Sequence, residues 1–311
     1  MNTFQYTNDN KRYHTWNYYL RNHFGSKVFK VPLDAGFTCP NRDGHCGTGG
    51  CTFCSERGSG DFIFKSSSLL EQYNQGKLMM EKKWPDAKTI PYFQSYTNTY
   101  GTLDKIEQCL SPFLDHAEVV AIAIGTRADC LEDEKLEFLN KCSDKKEIWI
   151  ELGLQSVHDE TAKKINRGHD FSVLKDCVQR IQSTNCKICL HIINGLPGES
   201  ADMMLETIKK VNELKVDAVK IHMLHLINGS TLTQQYLAVP FPILSQEEYV
   251  DIVCKQLQLL HPSIIVQRLT GDAKKEDLIA PLWTIKKTIT INEIDKQMAR
   301  KNWTQGMLVT P

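Results

Sequence analysis

Short apolar runs alternate along the chain with longer segments whose apolar residues recur at helical spacing. The runs Lys27 to Gly36, Ile90 to Tyr96, Glu118 to Gly125, Glu147 to Leu154, Lys187 to Gly195 and Ala218 to Leu226 predict six β-strands. Between them, Ser67 to Lys83, Leu103 to Leu114, Asp133 to Lys141, Val173 to Gln182 and Ala201 to Leu214 predict crossover helices. In the fourth, Leu174, Cys177, Val178 and Ile181 form one face behind Ser172 as N-cap. This order predicts an α/β fold of parallel units, a partial (β/α)6 TIM-like barrel rather than a closed eightfold one. Residues from Ser245 onward read as a helix, a strand around Ile264 to Leu269 and a polar tail, with no Pro/Gly/Ser-rich linker before them. The expected organisation is an N-terminal helical segment over 1–26 with Trp16, Tyr18, Tyr19 and Phe24, a barrel over 27–244, and a C-terminal extension or lid over 245–311.

Composition narrows the class. The chain has 311 residues, 41% of them hydrophobic, enough for a large core. No apolar stretch approaches the ~20 residues of a membrane span, and the N-terminus lacks a signal-peptide pattern, so a cytoplasmic protein is expected. Lys and Arg number 37 against 37 Asp and Glu, which gives no global pull toward nucleic acid. A local basic surface is expected, if anywhere, among Lys274, Lys275, Lys286, Lys287, Lys296, Arg300 and Lys301, where a solvated face is the equal alternative. Cys109, Cys130, Cys142, Cys177 and Cys254 are scattered singly, as small buried hydrophobes of a reduced protein are.

The remaining cysteines change the picture. Cys39-Pro-Asn-Arg-Asp-Gly-His-Cys46-Gly-Thr-Gly-Gly-Cys51-Thr-Phe-Cys54 gathers four thiols on one glycine-rich loop, a donor set for a soft metal centre. Zinc closed by His45 or Cys46 is one reading of that spacing. The loop follows a strand, and its glycines let backbone N–H groups turn toward sulfide, which puts an iron-sulfur cluster ahead. Cys186-Lys-Ile-Cys189 has C-x2-C form, but positions three apart on a strand face opposite ways, so it reads as a decoy.

Polar residues crowd the predicted strand ends, where parallel β/α folds carry their sites. Gln94, Ser95, Tyr96 and Thr97 follow strand two, Thr126, Arg127 and Asp129 follow strand three, Gln155 and Ser156 follow strand four, and Lys220, His222 and His225 lie on strand six. Alternation sets Lys220 and His222 on one face and His225 on the other. Glu151 stands in an otherwise apolar strand and needs a partner. His191, a lone histidine, receives no role. Gly195-Leu-Pro-Gly-Glu199 supplies a turn where backbone can approach a flat ligand.

Taken in order, Gly36-Phe-Thr-Cys39-Pro-Asn-Arg-Asp43, Gly50-Cys51-Thr-Phe-Cys54, Tyr92-Phe-Gln-Ser-Tyr-Thr-Asn-Thr-Tyr100, Gly125-Thr-Arg-Ala-Asp129, Glu151-Leu-Gly-Leu-Gln-Ser156, Ile165-Asn-Arg-Gly-His169 and Gly195-Leu-Pro-Gly-Glu199 resemble the radical S-adenosylmethionine superfamily. Within it the chain is similar to the bacterial YtqA and YhcC group, related to the radical domain of the Elongator catalytic subunit. The resemblance runs nearly end to end. It implies a [4Fe-4S] cluster on Cys39, Cys51 and Cys54, with Cys46 outside the ligand set, and S-adenosylmethionine on the open iron. It implies that Gln94, Ser95, Tyr96 and Thr97 lie near the methionine amino group, that Glu151 contacts the ribose, that Arg167 partners a carboxylate, and that Gln155 and Gly195 belong to the cofactor pocket. Arg167 has a plain alternative as a surface arginine at a helix end. The implied activity is release of a 5′-deoxyadenosyl radical that takes hydrogen from substrate. The implied substrate is tRNA, at the step that turns a wobble 5-carboxymethylaminomethyl group into 5-aminomethyl, with Arg127, Lys220 or His222 as partners of the carboxylate. A low-potential electron donor such as flavodoxin or ferredoxin is expected. The alternatives are a radical enzyme on a small metabolite or porphyrin, and a zinc-stabilised, non-catalytic RNA-binding protein.

Overall fold

The structure, a computed structural model, describes residues 2, 4–56, 58, 60, 63, 64, 66 and 68–309. Its elements in chain order are α1 (Trp16–Phe24), β1 (Val28–Leu33), α2 (Leu69–Glu81), β2 (Lys88–Phe93), α3 (Leu103–Leu114), β3 (Ala121–Thr126), α4 (Asp133–Cys142), β4 (Glu147–Gln155), α5 (Asp159–Lys164), α6 (Phe171–Ile181), β5 (Lys187–Asn194), α7 (Ala201–Glu213), β6 (Ala218–Met223), β7 (Leu226–Ile227), α8 (Thr231–Ala238), α9 (Gln246–Leu259), β8 (Ile265–Arg268), β9 (Leu278–Ala280) and α10 (Lys287–Arg300). The expected α/β partial barrel is present. Its sheet is wholly parallel in the order β1-β2-β3-β4-β5-β6-β8, so the short strand beyond residue 245 joins the six expected strands as a seventh. Strands β7 and β9 pair separately and antiparallel.

Local sequence sets most helix starts. Ser68, Thr102, Ser200, Ser230 and Ser245 each accept a backbone N–H of the following first turn, and Glu248 returns the bond to Ser245 in a capping box. The proposed start of α2 at Ser67 lies outside the described residues. Ser172 is not the cap of α6: the helix begins at Phe171 with Asp170 as N-cap. Phe171 N–H donates to Asp159 Oδ1 at 2.8 Å, so a carboxylate from α5 satisfies the first turn and draws the start upstream.

Two apolar layers sandwich the strands. Outward residues such as Leu33, Phe93, Ile122, Ile150 and Val219 pack on the crossover helices in the main core. A buried side chain of this size contributes about 1.5–3 kcal/mol. Inside, Val28, Ile90, Ala121, Trp149, Ala218 and Ile265 form a floor near the strand N-termini, which α1 seals. Trp16 meets Trp149 edge to face at 4.9 Å, and Tyr19 Oη donates to Glu147 Oε2 at 2.7 Å. Cys189 belongs to this floor and Cys186 to the outer core, so the sheet separates the two sulfurs of the second C-x2-C. The seam between edge strands β1 and β8 is bridged by Thr15 beside Val266, whose N–H donates to His14 O at 2.7 Å. Among the described residues no helix is long and apolar enough to cross a membrane.

Candidate active site

A cavity of about 710 Å³ opens above the floor, and Cys39, Cys51 and Cys54 all border it. Their loop is shaped by its own backbone and by a distant turn. Arg42 N–H donates to Cys39 O at 2.8 Å, Gly50 N–H to Asn41 O at 2.7 Å and Cys54 N–H to Cys51 O at 3.0 Å. Thr52 N–H donates to Ile165 O at 2.9 Å, and Asn166 Nδ2 to Gly50 O at 2.8 Å. Gly50 has φ +77°, a left-handed backbone that suits glycine. Cys51 Sγ accepts from Asn41 Nδ2 at 3.8 Å and from Arg167 Nη1 at 3.9 Å. A hydrogen bond from the Cys54 thiol, opposed by burial and aided by the Arg167 and Arg127 guanidiniums, brings the Cys51 thiol down to about 5. Cys46 is exposed, and burial raises its pKa although Arg127 Nη2 sits 3.7 Å from its sulfur.

Below the loop lies an ionic layer. Glu151 is buried at the centre of β4, and Lys30 from β1 meets its Oε1 while Lys220 from β6 meets its Oε2. His191 Nε2 lies 2.8 Å from the same Oε2. Burial pushes the Glu151 carboxyl up, but Lys220 and Lys30 overcome it and hold the group well below the usual carboxylate range. Burial takes Lys220 down to about 8 against the pull of Glu151, and burial with Lys220 takes His191 down to about 4. Tyr92 lies under both ammonium groups, 4.9 Å from Lys30 and 4.5 Å from Lys220. Two cations and one carboxylate leave this layer net positive.

The expected site residues divide by place. Gln94, Tyr96, Thr97, Glu151, Gln155 and Arg167 border the cavity, as do Arg127, Lys220 and His222. Ser95 is wholly buried and Gly195 packs near Leu244; neither borders it. Tyr96 and Gln155 hold φ of +59° and +67°, strained for side-chain-bearing residues and placed where two strand ends meet the cavity. Arg167 is not a surface arginine: it is buried, and its Nη2 donates to Gly153 O at 2.6 Å. Arg127 is clamped to Asp129 by bonds of 2.8 and 2.6 Å and donates to Arg167 O at 2.8 Å. His225 borders the cavity together with Lys220 and His222, because β6 ends at Met223 and alternation stops there. Lys30, His191, Gln267 and Arg268 also border it without having been singled out. The signal for Lys30 was the same as for Glu151, one charge inside an apolar strand.

The donors fit an iron-sulfur cluster and a nucleoside-sized cofactor. Among the described residues, the one group of three ligand atoms within 4.8 Å of one another is Glu151, Cys189 and His191, and lysine ammonium groups already hold both Glu151 oxygens. Cys39, Cys51 and Cys54 stand on one wall of the cavity with the Arg167 and Arg127 guanidiniums acting on Cys51, a thiolate donor set of the kind that holds an iron-sulfur cluster. The cavity beside them has the volume of a small-molecule site.

Residues 44–211 match the Radical SAM superfamily and residues 216–300 match the Radical SAM C-terminal domain. YtqA of Bacillus subtilis (strain 168) is 45% identical over 98% of this chain and 95% of its own, and YhcC of Escherichia coli (strain K12) is 35% identical over 90% of each. A tRNA uridine(34) acetyltransferase of Methanocaldococcus infernus is 24% identical over 49% of this chain and 29% of its own. The solved structure of archaeal Methanocaldococcus infernus Elp3, with an N-terminal deletion, superposes with TM-score 0.69 over 90% of this chain and 64% of that one at 19% identity, which shows a shared fold. Sulfur loop, cavity and end-to-end likeness agree: the chain belongs to the radical S-adenosylmethionine superfamily, in the group of YtqA and YhcC, and is an enzyme of the kind that works with a [4Fe-4S] cluster and S-adenosylmethionine.

Proposed function

We propose that this enzyme acts on tRNA at the wobble uridine, converting a 5-carboxymethylaminomethyl group into 5-aminomethyl, with its cluster reduced by a low-potential donor such as flavodoxin or ferredoxin. The observation that carries the reading is one continuous cavity with the sulfur loop on one wall and the cationic side chains of β6 and β8 on the other. The partial likeness to a tRNA uridine(34) acetyltransferase supports the choice of uridine.

Cys39, Cys51 and Cys54 would hold the cluster, which with S-adenosylmethionine supplies reductive sulfonium cleavage and the radical that takes hydrogen from substrate. The protein's own work is placement. Arg167 ties the Cys51 wall to the Gly153 carbonyl and sets the spacing between sulfur loop and β4. Glu151, with both oxygens committed to lysines and His191, fixes the cavity floor, and Gln155 at the end of the same strand is the better placed of the two for cofactor hydroxyls. Arg127 and Lys220 border the cavity already paired with Asp129 and Glu151, so of the three expected carboxylate partners His222 is the one with no acidic partner among the described residues.

Mass spectrometry of nucleosides from a deletion strain tests the reading. Accumulation of the carboxymethylaminomethyl form at the expense of methylaminomethyl is expected. An unchanged profile overturns it in favour of a small-molecule substrate.

A further inference from the structure

The cavity wall opposite the cysteine loop carries charge that the ionic floor does not use. Arg268 at the end of β8 and Lys287 at the start of α10 both bind Asp272: Arg268 Nη2 meets its Oδ2, and Lys287 Nζ meets its Oδ1 at 2.5 Å. All three border the cavity. Two cations share one carboxylate, and among the described residues no other acidic group pairs with either. The wall therefore keeps one positive charge in excess, on side chains 38% and 49% exposed that an incoming anion can reach.

Two nitrogens beside it lack partners among the described residues. Gln267 Oε1 accepts from Lys30 at 2.7 Å, which leaves Gln267 Nε2 buried with no hydrogen-bond partner. His225 Nε2 is likewise buried and unpartnered. Its ring packs against the backbone at Gly271, where a Cβ would lie 2.5 Å from Cε1, so the ring is held in place by a position that must stay small. Burial carries His225 down to about 4, which leaves the ring neutral and able to donate one N–H. An orphaned amide donor and an orphaned imidazole next to surplus positive charge form a recognition set for an acceptor.

We infer that the β8 end of the cavity is a binding subsite for one oxyanion of the substrate, with Arg268 and Lys287 as its cations and Gln267 and His225 as neutral hydrogen-bond donors. The incoming group shares the two cations with Asp272. On the wobble-uridine reading, on which this identification of the source rests, the oxyanion is the carboxylate of the carboxymethylaminomethyl group; a backbone phosphate has the same chemistry.

The test uses anaerobically reconstituted holoenzyme and equilibrium dialysis with N-benzylglycine, which carries an aromatic ring, a CH2–NH–CH2 link and a carboxylate, against N-methylbenzylamine, which lacks the carboxylate. Wild type should bind the acid about tenfold more tightly, and Arg268→Gln or Lys287→Met should each remove most of that preference, since a charge-assisted contact is worth about a factor of ten or more. Arg268→Lys should restore part of it, and Asp272→Asn should tighten binding by removing the competing carboxylate. Inorganic phosphate separates the sources: displacement of N-benzylglycine from wild type marks a general oxyanion site that fits backbone phosphate, and no displacement marks a site for the carboxylate. Absence of a preference in wild type overturns the subsite, as does an unaltered preference in Arg268→Gln/Lys287→Met with a native melting temperature. A preference that persists while the deletion strain keeps its nucleoside profile leaves the subsite standing and removes the wobble uridine.

Discussion

Lys30 and Gln267 meet across the seam of the barrel: the Lys30 ammonium on the first strand donates to Gln267 Oε1 on the last at 2.7 Å. The same ammonium holds Glu151 on the central strand, and Lys220 reaches that carboxylate from β6. One buried carboxylate thus ties the edge strand β1 to β4 and β6, and Lys30 carries the tie on to the other edge at β8.

Glu151→Gln should therefore destabilise the apoprotein by about 3–5 kcal/mol, because it leaves two ammonium groups inside the barrel without their counter-charge. Glu151→Leu combined with Lys30→Met and Lys220→Met should recover most of the loss. Denaturant unfolding of the three proteins, wild type included, measures both effects.

Cys39→Ala, Cys51→Ala and Cys54→Ala should each purify anaerobically without stoichiometric iron and sulfide, whereas Cys46→Ala should keep about four of each. Iron analysis and visible absorbance decide it. Equal iron loss in Cys46→Ala would reinstate that exposed cysteine as a ligand.

Gly153→Ala would set a methyl group 2.6 Å from Gln155 Nε2 and 3.1 Å from Arg167 Nη2. The backbone there needs no glycine, so the fold should survive while Arg167 moves off its carbonyl anchor. S-adenosylmethionine affinity by equilibrium dialysis should fall by about tenfold with iron content unchanged, the cost of one charge-assisted contact.

Acid should unfold the protein through its buried histidines. Burial brings His191 and His225 down to about 4, so between their ordinary value near 6.5 and 4 the unfolded chain binds protons that the native state refuses. Stability is then whole above pH 6.5 and is lost as pH falls through that window, by at most about 1.4 kcal/mol per pH unit for each histidine. Denaturation midpoints between pH 7 and pH 4.5 should show this slope, and His225→Gln should flatten it.

Much of this architecture is legible in the chain. Apolar runs mark all six major strands, since a strand buried on both faces has to be apolar, and the helical periodicities mark the five crossover helices. Ile265–Arg268 reads as a strand too, yet nothing within four residues says which neighbour it will choose; that pairing is made by Ala218 and Val219 of β6. The loop cysteines and Glu151 announce themselves by type and place. His191 did not, because a lone histidine carries no local mark of its partner, and Glu151 lies forty residues upstream. Ser95 and Gly195 sit in motifs that touch the site, but the turns at Tyr96 and beyond Asn194 aim other atoms at the cavity. Such facts belong to tertiary geometry.

The bond from Thr52 N–H to the Ile165 carbonyl carries a consequence for biogenesis. The sulfur loop receives its shape from a turn more than a hundred residues later in synthesis, together with the Asn166 amide and the Arg167 guanidinium. Until synthesis has passed Arg167 and β4 has docked, the loop has only its own backbone bonds and lacks the part of its support that comes from this turn. The finished sulfur loop is thus a late product of folding, and a chain cut short before Ile165 should hold a cluster less firmly than the whole barrel does.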